Sequence, residues 1–464
     1  MTRSTTGVSG AVRGLPQRVR HIVHKLSDRF GAPPGSRPIT LDVHVSDTDA
    51  DALFHDCLAG DASSSTTRLV VDHDGVVVND TRIRIRSAGH AGEHDVSTLP
   101  SPRHVDVDRL PRRRFGSMTV SQLPDPGGIR FRALSARGRR AERCTVELRS
   151  TGDVDTVVAL AAAGVPIAVE SSGHRSPSAR VQRFLTEIDE LASAGELRAV
   201  QARRAAHSSF GRRAVVTEVE RCAGVELQHR PTVSILLATR RPGAIVEAVG
   251  RAAQLRSAAD HELIVGLHGD GFDTELDSQL RAIWPGACSI LRLPATLPLG
   301  GMLNQLTQHA DGQLLTKWDD DDWYGPDHVD DLVLAWDESG AQVVGKFAEF
   351  VYLGGSDLTI RRHSPPAEGR SDLLAGGTLL TSAEWLRQLG GWEPVPRRVD
   401  QLLLRATRAN GGVAYRTHGY QYVLHRSHEV AEHTWRADEE YFVNAAAQSW
   451  PGLRLDEADI PEQR

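Results

Sequence analysis

A run of four consecutive aspartates limits what this sequence can fold into more than any other feature. The apolar residues before the run predict a buried strand, and Asp319–Asp322 follow it directly, ahead of the pair Gly325-Pro326. Four adjacent carboxylates repel one another and resist burial, so a strand end can hold them only with a compensating charge. A divalent cation such as Mg2+ or Mn2+, which prefers hard oxygen ligands, would supply that charge. The alternative is a solvated acidic turn before the helix predicted from Asp327.

Length and composition predict a cytoplasmic protein of two or three domains. The 464 residues are 40% hydrophobic and 25% charged, as in ordinary globular proteins. With a net charge of -6 and no long basic block, we expect no nucleic-acid partner. The four cysteines show no metal or disulfide spacing, which indicates a reducing compartment. No run is long enough for a transmembrane helix, and no signal peptide is evident. Residues 17–30 predict either a surface helix or a basic amphipathic helix at the inner face of a membrane.

The second half of the chain alternates predicted strands and helices, a pattern typical of a mostly parallel sheet with helices on both faces. The predicted strands are residues 232–238, 262–267, 288–293 and 313–318. Ligands of such sheets bind at the carboxyl ends of the strands. Three predicted strands are followed there by polar groups, at residues 239–241, 268–270 and 319–322. We therefore expect a binding site along this edge.

Residues 231 to about 440 resemble glycosyltransferase family 2, whose members are inverting enzymes of the type A fold. Three segments carry the resemblance, in the family's order and at comparable spacing: VSILLATRRP, GGMLNQLTQHADGQLLTKWDDDDWYGPDHV and GGTLLTSAEWLRQLGGWEPVPRRVDQLLLRA. The resemblance implies a Rossmann-like domain that moves a sugar from a nucleotide-diphosphate sugar to a hydroxyl group. The implied acceptor is a glycan or a lipid-linked molecule of cell-envelope or secreted glycan synthesis.

The resemblance also assigns roles to the acidic residues. Asp319 and Asp321 take the places of the two acids of the DxD motif, and Asp321 is expected to contact Mn2+ or Mg2+ directly, with Asp320 and Asp322 in support. Such a cation would neutralise the charge that develops on the leaving diphosphate. Asp400 takes the place of the general base. The alternative for Asp400 is an N-cap of the helix predicted over residues 401–410.

The other expected contacts surround these acids. The predicted donor-nucleotide residues are Thr239, Arg240, Arg241, Asp270, Asp319 and Asp320. The family usually ends its second strand with an acidic pair that reads uracil, and here Leu267 and His268 stand at those positions. Asp270 from a shifted position, or Arg240 with the backbone, would then read the base, with UDP as the family's usual nucleotide.

Five further residues complete the predicted site. Gly377 and Trp392 are expected to contact the sugar or acceptor, and a helix break and a core tryptophan are the equal alternatives. His433 is a predicted metal ligand, with His425 as a second candidate and Arg426 as a phosphate clamp. Surface histidines explain this run equally well.

The first half predicts a smaller α/β accessory domain over residues 39–225. A poorly ordered segment, residues 1–38, precedes it, and the catalytic domain of residues 231–445 and a tail of residues 446–464 follow. Residues 150–225 weakly resemble the nucleotide-binding half of a type B glycosyltransferase, with Glu170 near the place of its donor-binding glutamate. Too little chain precedes this segment for a complete type B enzyme, so we interpret it as a degenerate remnant.

Two other functions remain open. A catalytically silent module could keep the fold and bind a nucleotide or glycan, although it would have no need for both the acidic cluster and Asp400. A nucleotidyltransferase is disfavoured because no glycine-rich phosphate loop follows the first strand.

Overall fold

The computed structural model describes these residues: 39–45, 67–73, 83–87, 117–120, 122–123, 129–149, 153–171, 179–211, 214, 231–364, 367–426 and 439–460. The predicted poorly ordered segment, residues 1–38, lies outside them. No helix in these ranges combines the length and apolar character needed to cross a membrane.

The described elements form two compact units, and the first contains a small antiparallel sheet and a small parallel one. Its elements are β1 (Ile39–Val45), β2 (Thr67–His73), β3 (Ile83–Ser87), β4 (Met118–Val120), α1 (Ile129–Gly138), β5 (Cys144–Leu148), α2 (Asp153–Ala162), β6 (Ile167–Ser171), α3 (Ala179–Glu190) and α4 (Gly195–Phe210). Strands β1 to β3 pair antiparallel, and β4 to β6 pair parallel. Helix α2 is apolar and buried along most of its length, so it forms the centre of the core around the parallel sheet.

A buried arginine holds part of this core together. Arg198 on α4 is fully buried, and its guanidinium donates to the carbonyls of Ile167 at 2.6 Å and Ile188 at 3.0 Å. Because a buried guanidinium needs acceptors for its N–H groups, these carbonyls offset its desolvation. Glu170, the sequence candidate in this unit, is exposed at the end of β6. The type B remnant stays a prediction.

The second unit begins at Pro231 and contains the larger sheets. Its elements are β7 (Val233–Thr239), α5 (Ile245–Ala252), β8 (Glu262–His268), α6 (Leu276–Ile283), β9 (Cys288–Leu293), α7 (Leu299–Gln308), β10 (Leu314–Trp318), β11 (Trp323–Tyr324), α8 (His328–Ser339), β12 (Val343–Lys346), β13 (Phe350–Leu353), β14 (Leu358–Arg362), β15 (Gly369–Arg370), β16 (Leu380–Ser382), α9 (Ala383–Gln388), α10 (Val399–Ala409), β17 (Ala414–Thr417), β18 (Tyr422–Arg426), α11 (Glu439–Asn444) and β19 (Ala446–Pro451). Short 3-10 turns occur at Ala258–Asp260 and Gly376–Thr378.

The principal sheet has eight strands in the order β15-β17-β12-β16-β10-β7-β8-β9. Strands β10, β7, β8 and β9 run parallel, whereas β16 is antiparallel to its neighbours. Alternate residues of β7 serve two cores: Ile235 and Leu237 pack on one face of the sheet and Leu236 on the other. This burial on both faces explains why β7 is apolar almost throughout. The predicted α/β fold class, with a mostly parallel sheet in the second half, is confirmed.

A second sheet, in the order β11-β18-β13-β14-β19, was not predicted from the sequence. Its last strand, Ala446–Pro451, pairs antiparallel with β14. The prediction of a tail from residue 446 is therefore wrong for this segment. Because Ala446–Pro451 lacks the alternation of a half-buried strand, its pairing with β14 could not be read from the sequence.

Candidate functional site

A cleft of about 1010 Å³ opens at the carboxyl ends of β7, β8 and β10. It is lined by Ala238, Thr239, Arg240, Arg241, His268, residues 295–299, Met302, residues 319–322, Pro396, Arg397, Leu424, His425 and Arg426. Parallel strands end together at this edge, so the polar groups that follow β7, β8 and β10 meet in one cavity. The structure thus brings together most of the predicted donor-side residues.

The four aspartates after β10 alternate between two environments. The side chains of Asp319 and Asp321 are 41% and 23% exposed, whereas that of Asp320 is only 6% exposed. Asp322 is also buried. The alternation leaves two carboxylates facing the cleft and turns two into the protein.

Asp320 is bound by residues of the loop after β7. Thr239 donates its hydroxyl to the carboxylate, and the guanidinium of Arg241 donates to both carboxylate oxygens. The backbone N–H of Arg241 in turn donates to the hydroxyl of Thr239 at 3.0 Å. These contacts fix the end of β10 to the end of β7. Thr239 and Asp320, predicted as donor contacts, are therefore committed to each other and to Arg241.

Asp322 is held from the opposite side by β18. The phenol of Tyr422 donates to Oδ2 at 2.6 Å, and the backbone N–H of His425 donates to Oδ1 at 3.0 Å. Burial, followed by repulsion from Asp321 and Asp319, raises the pKa of Asp322 well above its ordinary value. Each oxygen of Asp322 thus accepts one hydrogen bond from β18, and the side chain anchors the acidic loop to this strand. Its role as a metal ligand stays a prediction.

The charge of Asp321 in the cleft is only partly balanced, because Arg241 is shared with Asp320. Burial and repulsion from Asp319 raise its pKa, although the guanidinium of Arg241, 2.9 Å from Oδ2, opposes this shift. A carboxylate whose ionised form is destabilised gains from an added cation. Asp319 and Asp321 supply the hard oxygens that Mg2+ and Mn2+ prefer.

The protein offers a divalent cation only part of a coordination sphere. Within the described ranges no group of three or more histidine, cysteine, aspartate or glutamate side chains is arranged to hold a metal ion. His433 lies outside the described residues. Magnesium is commonly bound by one or two carboxylates, completed by substrate phosphates and water. Asp319 and Asp321 fit that kind of site. They do not form a site closed by protein ligands alone.

Two glycines separate the acidic loop from Asp400. A Cβ atom built on Gly376 would lie 2.9 Å from Oδ2 of Asp400, and one built on Gly377 would lie 2.9 Å from Oδ2 of Asp319. The same Cβ on Gly377 would lie 2.8 Å from the hydroxyl of Tyr324. Consecutive Cα atoms are only about 3.8 Å apart. The glycine pair therefore brings Asp400 to the acidic loop, with a single stretch of backbone between them.

Asp400 lies in the first turn of α10, not before it. The helix begins at Val399, and its N-cap is Arg398, whose φ of 66° is left-handed. The predicted alternative for Asp400, an N-cap of a helix starting at residue 401, is therefore wrong. A left-handed arginine costs conformational energy, and such strain is commonly retained next to functional residues.

The structure separates other predicted residues from the cleft. Asp270 is exposed and does not line the cleft. Trp392 is only 3% exposed, packs in the hydrophobic core and donates its indole N–H to Thr307. The burial of Trp392 contradicts direct contact with a ligand in this cleft, whereas the role of Asp270 stays a prediction. Trp392 is instead the core tryptophan that the sequence left as an alternative.

Three further predicted residues do border the cleft. Arg240 is exposed, and the half-buried His425 packs its ring against Tyr352. Arg426 is largely buried and places its guanidinium over the ring of Phe442. Sequence reasoning missed Tyr422, because only the pairing of β18 with β11 brings this distant tyrosine to the aspartates.

The sequence matches no family model and no curated protein. Among solved structures, the chain is similar to a mannosyltransferase. This protein is PcManGT from Pyrobaculum calidifontis, in complex with GDP-Man and Mn2+, with 15% identity, a TM-score of 0.32 and coverage of 43% of this chain and 58% of that one. S. aureus TarS has 14% identity, a TM-score of 0.33 and coverage of 42% of this chain and 37% of that one. Its fragment 1-349 has 15% identity, a TM-score of 0.34 and coverage of 42% of this chain and 60% of that one. This chain thus spans less than two thirds of each structure, and similarity of this size decides nothing about its activity.

Proposed function

We propose that this chain is a metal-dependent, inverting glycosyltransferase of the family 2 type. It would transfer a sugar from a nucleotide-diphosphate sugar to a hydroxyl group of a glycan or lipid-linked acceptor. One observation carries the proposal: the acidic loop after β10 and Asp400 on α10 lie on the two sides of the Gly376-Gly377 backbone. These are the residues that the sequence resemblance names as the donor and base carboxylates.

The donor would lie in the cleft at the ends of β7, β8 and β10. Asp319 and Asp321 would hold a divalent cation together with the donor's diphosphate, which the cation would neutralise as the glycosidic bond breaks. Arg240 and Arg397 line the cleft, and neither has a side-chain hydrogen bond or ion pair with another described residue. Their guanidinium groups are available to pair with phosphate oxygens.

Asp400 would accept the proton of the acceptor hydroxyl as that oxygen attacks the anomeric carbon. Attack from the side opposite the leaving diphosphate inverts the anomeric configuration. Asp400 is half-buried in the first turn of α10, beside the backbone of Gly376. This position holds a carboxylate next to the acidic loop, as the role of a general base requires.

Binding and transfer can be measured separately. We expect UDP- or GDP-sugars with Mn2+ to raise the melting temperature, because a ligand that binds only the native state stabilises it. Asp321→Asn should lose the Mn2+-dependent part of that shift and all transfer. Asp400→Asn should keep the shift and lower transfer at least about a hundredfold, within the range for loss of a general base. Asp277→Asn removes a carboxylate of α6 that pairs with Arg292 of β9. It is the matched control and should keep both donor binding and transfer.

A silent binding module is the competing function. It predicts that a nucleotide sugar raises the melting temperature but is neither hydrolysed nor transferred, and that Asp400→Asn changes nothing. Full transfer by Asp321→Asn, or by the native protein in excess chelator, would contradict the metal assignment.

A further inference from the structure

Lys317 is an unusual residue at the centre of the site. The chain has only three lysines, and Lys317 is the last residue but one of β10, two positions before the cleft-facing Asp319. Only 5% of Lys317 is exposed, and its ammonium group donates to Oδ1 of Asp319 at 2.6 Å. A buried lysine costs desolvation energy, so the sequence of a buried strand would ordinarily exclude it.

Carboxylates on several elements surround this ammonium group. Its ammonium group donates directly to Asp319, and Asp400 and Asp322 also interact with it electrostatically. Lys317 therefore places a positive charge between the acidic loop and α10. It is attracted both by the predicted donor carboxylate and by the predicted base.

Arg241 is a second positively charged residue that contacts the acidic loop. Its guanidinium reaches Asp320 and lies 2.9 Å from Oδ2 of Asp321. Lys317 takes Oδ1 of Asp319, so each cleft-facing carboxylate has one oxygen engaged by a cation of the protein. Four carboxylates with two such cations retain about two negative charges when all are ionised.

We propose that Lys317 is a positioning residue that lowers the affinity of Asp319 and Asp321 for a free divalent cation, so that metal binding depends on the donor's diphosphate. The inference rests on the proposed function and extends it to the order of binding. With one oxygen left on each cleft-facing carboxylate, and about half of the loop's negative charge offset by Lys317 and Arg241, the protein supplies only two free oxygens to a divalent cation. The diphosphate supplies the remaining charge and oxygens, so cation and donor bind cooperatively.

The proposal is tested with Mn2+ alone and with Mn2+ plus UDP or GDP, by calorimetry on the full chain. Lys317→Gln keeps a hydrogen-bond donor toward Asp319 but removes the charge. It should bind Mn2+ alone roughly tenfold more tightly than the native protein, because a unit positive charge a few ångströms away opposes a divalent cation strongly. The nucleoside diphosphate should strengthen Mn2+ binding less in this variant than in the native protein. Lys317→Arg keeps the charge and should stay within about threefold of the native affinity.

If Lys317→Gln merely disturbed the structure, the variant would bind Mn2+ more weakly. The proposal predicts tighter binding, so the two explanations can be separated. Lys346→Gln removes another buried lysine, whose ammonium group lies 3.0 Å from the carboxylate of Asp331 on α8. It should lower the melting temperature and leave the affinity for Mn2+ unchanged. If Lys317→Gln does not fold in chelator, Mn2+ alone should restore cooperative unfolding, and failure to restore it overturns the proposal.

Unchanged or weaker Mn2+ binding by a folded Lys317→Gln variant also overturns the proposal, as do equal changes in the Gln and Arg variants. None of these measurements uses sugar transfer. A negative result here therefore leaves the proposed glycosyltransferase activity standing, and absence of transfer with every donor leaves the Mn2+ result interpretable.

Discussion

Replacing Gly377 by alanine tests whether the glycine pair sets the distance between the donor carboxylates and Asp400. The new Cβ would lie 2.8 Å from the hydroxyl of Tyr324 and 2.9 Å from carboxylate oxygens of both Asp319 and Asp322. Tyr324 is buried, and Asp322 is fixed by Tyr422 and His425. Of the three groups, only the partly exposed Asp319 has room to move.

The magnitude follows from this crowding. Overpacking a well-packed site costs about 1–3 kcal/mol, and a domain of this size loses about 2–4 °C of melting temperature per kcal/mol, so we expect a decrease of about 2–12 °C. Displacement of Asp319 should also weaken Mn2+-dependent donor binding at least about tenfold, the equivalent of one lost charge-assisted hydrogen bond.

Gly376→Ala is the informative partner because the three atoms nearest to its Cβ all belong to Asp400, with Oδ2 at 2.9 Å. Asp400 is half-buried and can rotate away, so stability should change by less than about 1 kcal/mol. Donor binding should persist, whereas transfer should fall by about a hundredfold, as expected when a reacting group is misplaced by about an ångström.

Melting curves, donor binding by calorimetry and transfer assays on both variants check these expectations. Gly250→Ala is the control: it lies in α5 with nothing within 4 Å of its Cβ position, and it should be neutral or slightly stabilising. A Gly377→Ala variant with native melting temperature and native donor binding would refute the reasoning. A Gly376→Ala variant that binds the donor poorly, but transfers the sugar at the native rate once the donor is bound, would also refute the reasoning.

Two other predictions address the core beneath the site. Trp392→Ala should lower the free energy of unfolding by about 3–5 kcal/mol, because the indole is buried. At low temperature, where the variant is folded, its affinity for the donor should equal that of the native protein. Loss of affinity without loss of stability would instead support direct contact between Trp392 and the sugar. His328 is fully buried beside Trp318, and burial, with repulsion from Lys346, lowers its pKa well below the ordinary value. Its contribution to stability should be complete above the unfolded pKa of about 6.5 and should decline as pH falls below it. His328→Phe should lower the free energy of unfolding by about 1 kcal/mol at neutral pH, because the hydrogen bond to the carbonyl of Gln421 is lost. Denaturant unfolding at several pH values should then show that its stability falls less steeply with decreasing pH than that of the native protein. An equally steep fall would exclude His328 as the source of the pH dependence.

The sequence by itself was sufficient to predict the central strands of the principal sheet and the edge at which polar groups meet. Strands such as Cys288–Leu293 begin and end where their apolar runs predict, because each run is short and bounded by breakers. The polar groups after β7 and β10 were expected together, since parallel strands end at the same edge. These predictions depend on local pattern and on one topological rule, and both can be read from a linear chain.

Only the tertiary structure decided which aspartates face the cleft. Four identical neighbours in the sequence differ because Thr239 and Arg241 bind Asp320 from one side, and Tyr422 binds Asp322 from the other. Tyr422 is a hundred residues away from Asp322 in the chain, so no spacing rule connects them. Metal ligands and anchoring residues therefore could not be told apart in advance.

The same limit applies to residues whose meaning depends on burial. Trp392 was equally compatible with a sugar platform and a core position until the packing of α7 against it was known. The long-range pairing of β19 with β14 likewise turned an expected tail into a strand. Composition and periodicity determined where a charged loop would meet a parallel sheet. Contacts between residues far apart in the chain determined what each charge in that loop can do, because desolvation and hydrogen bonding act through space and leave no local pattern in the sequence.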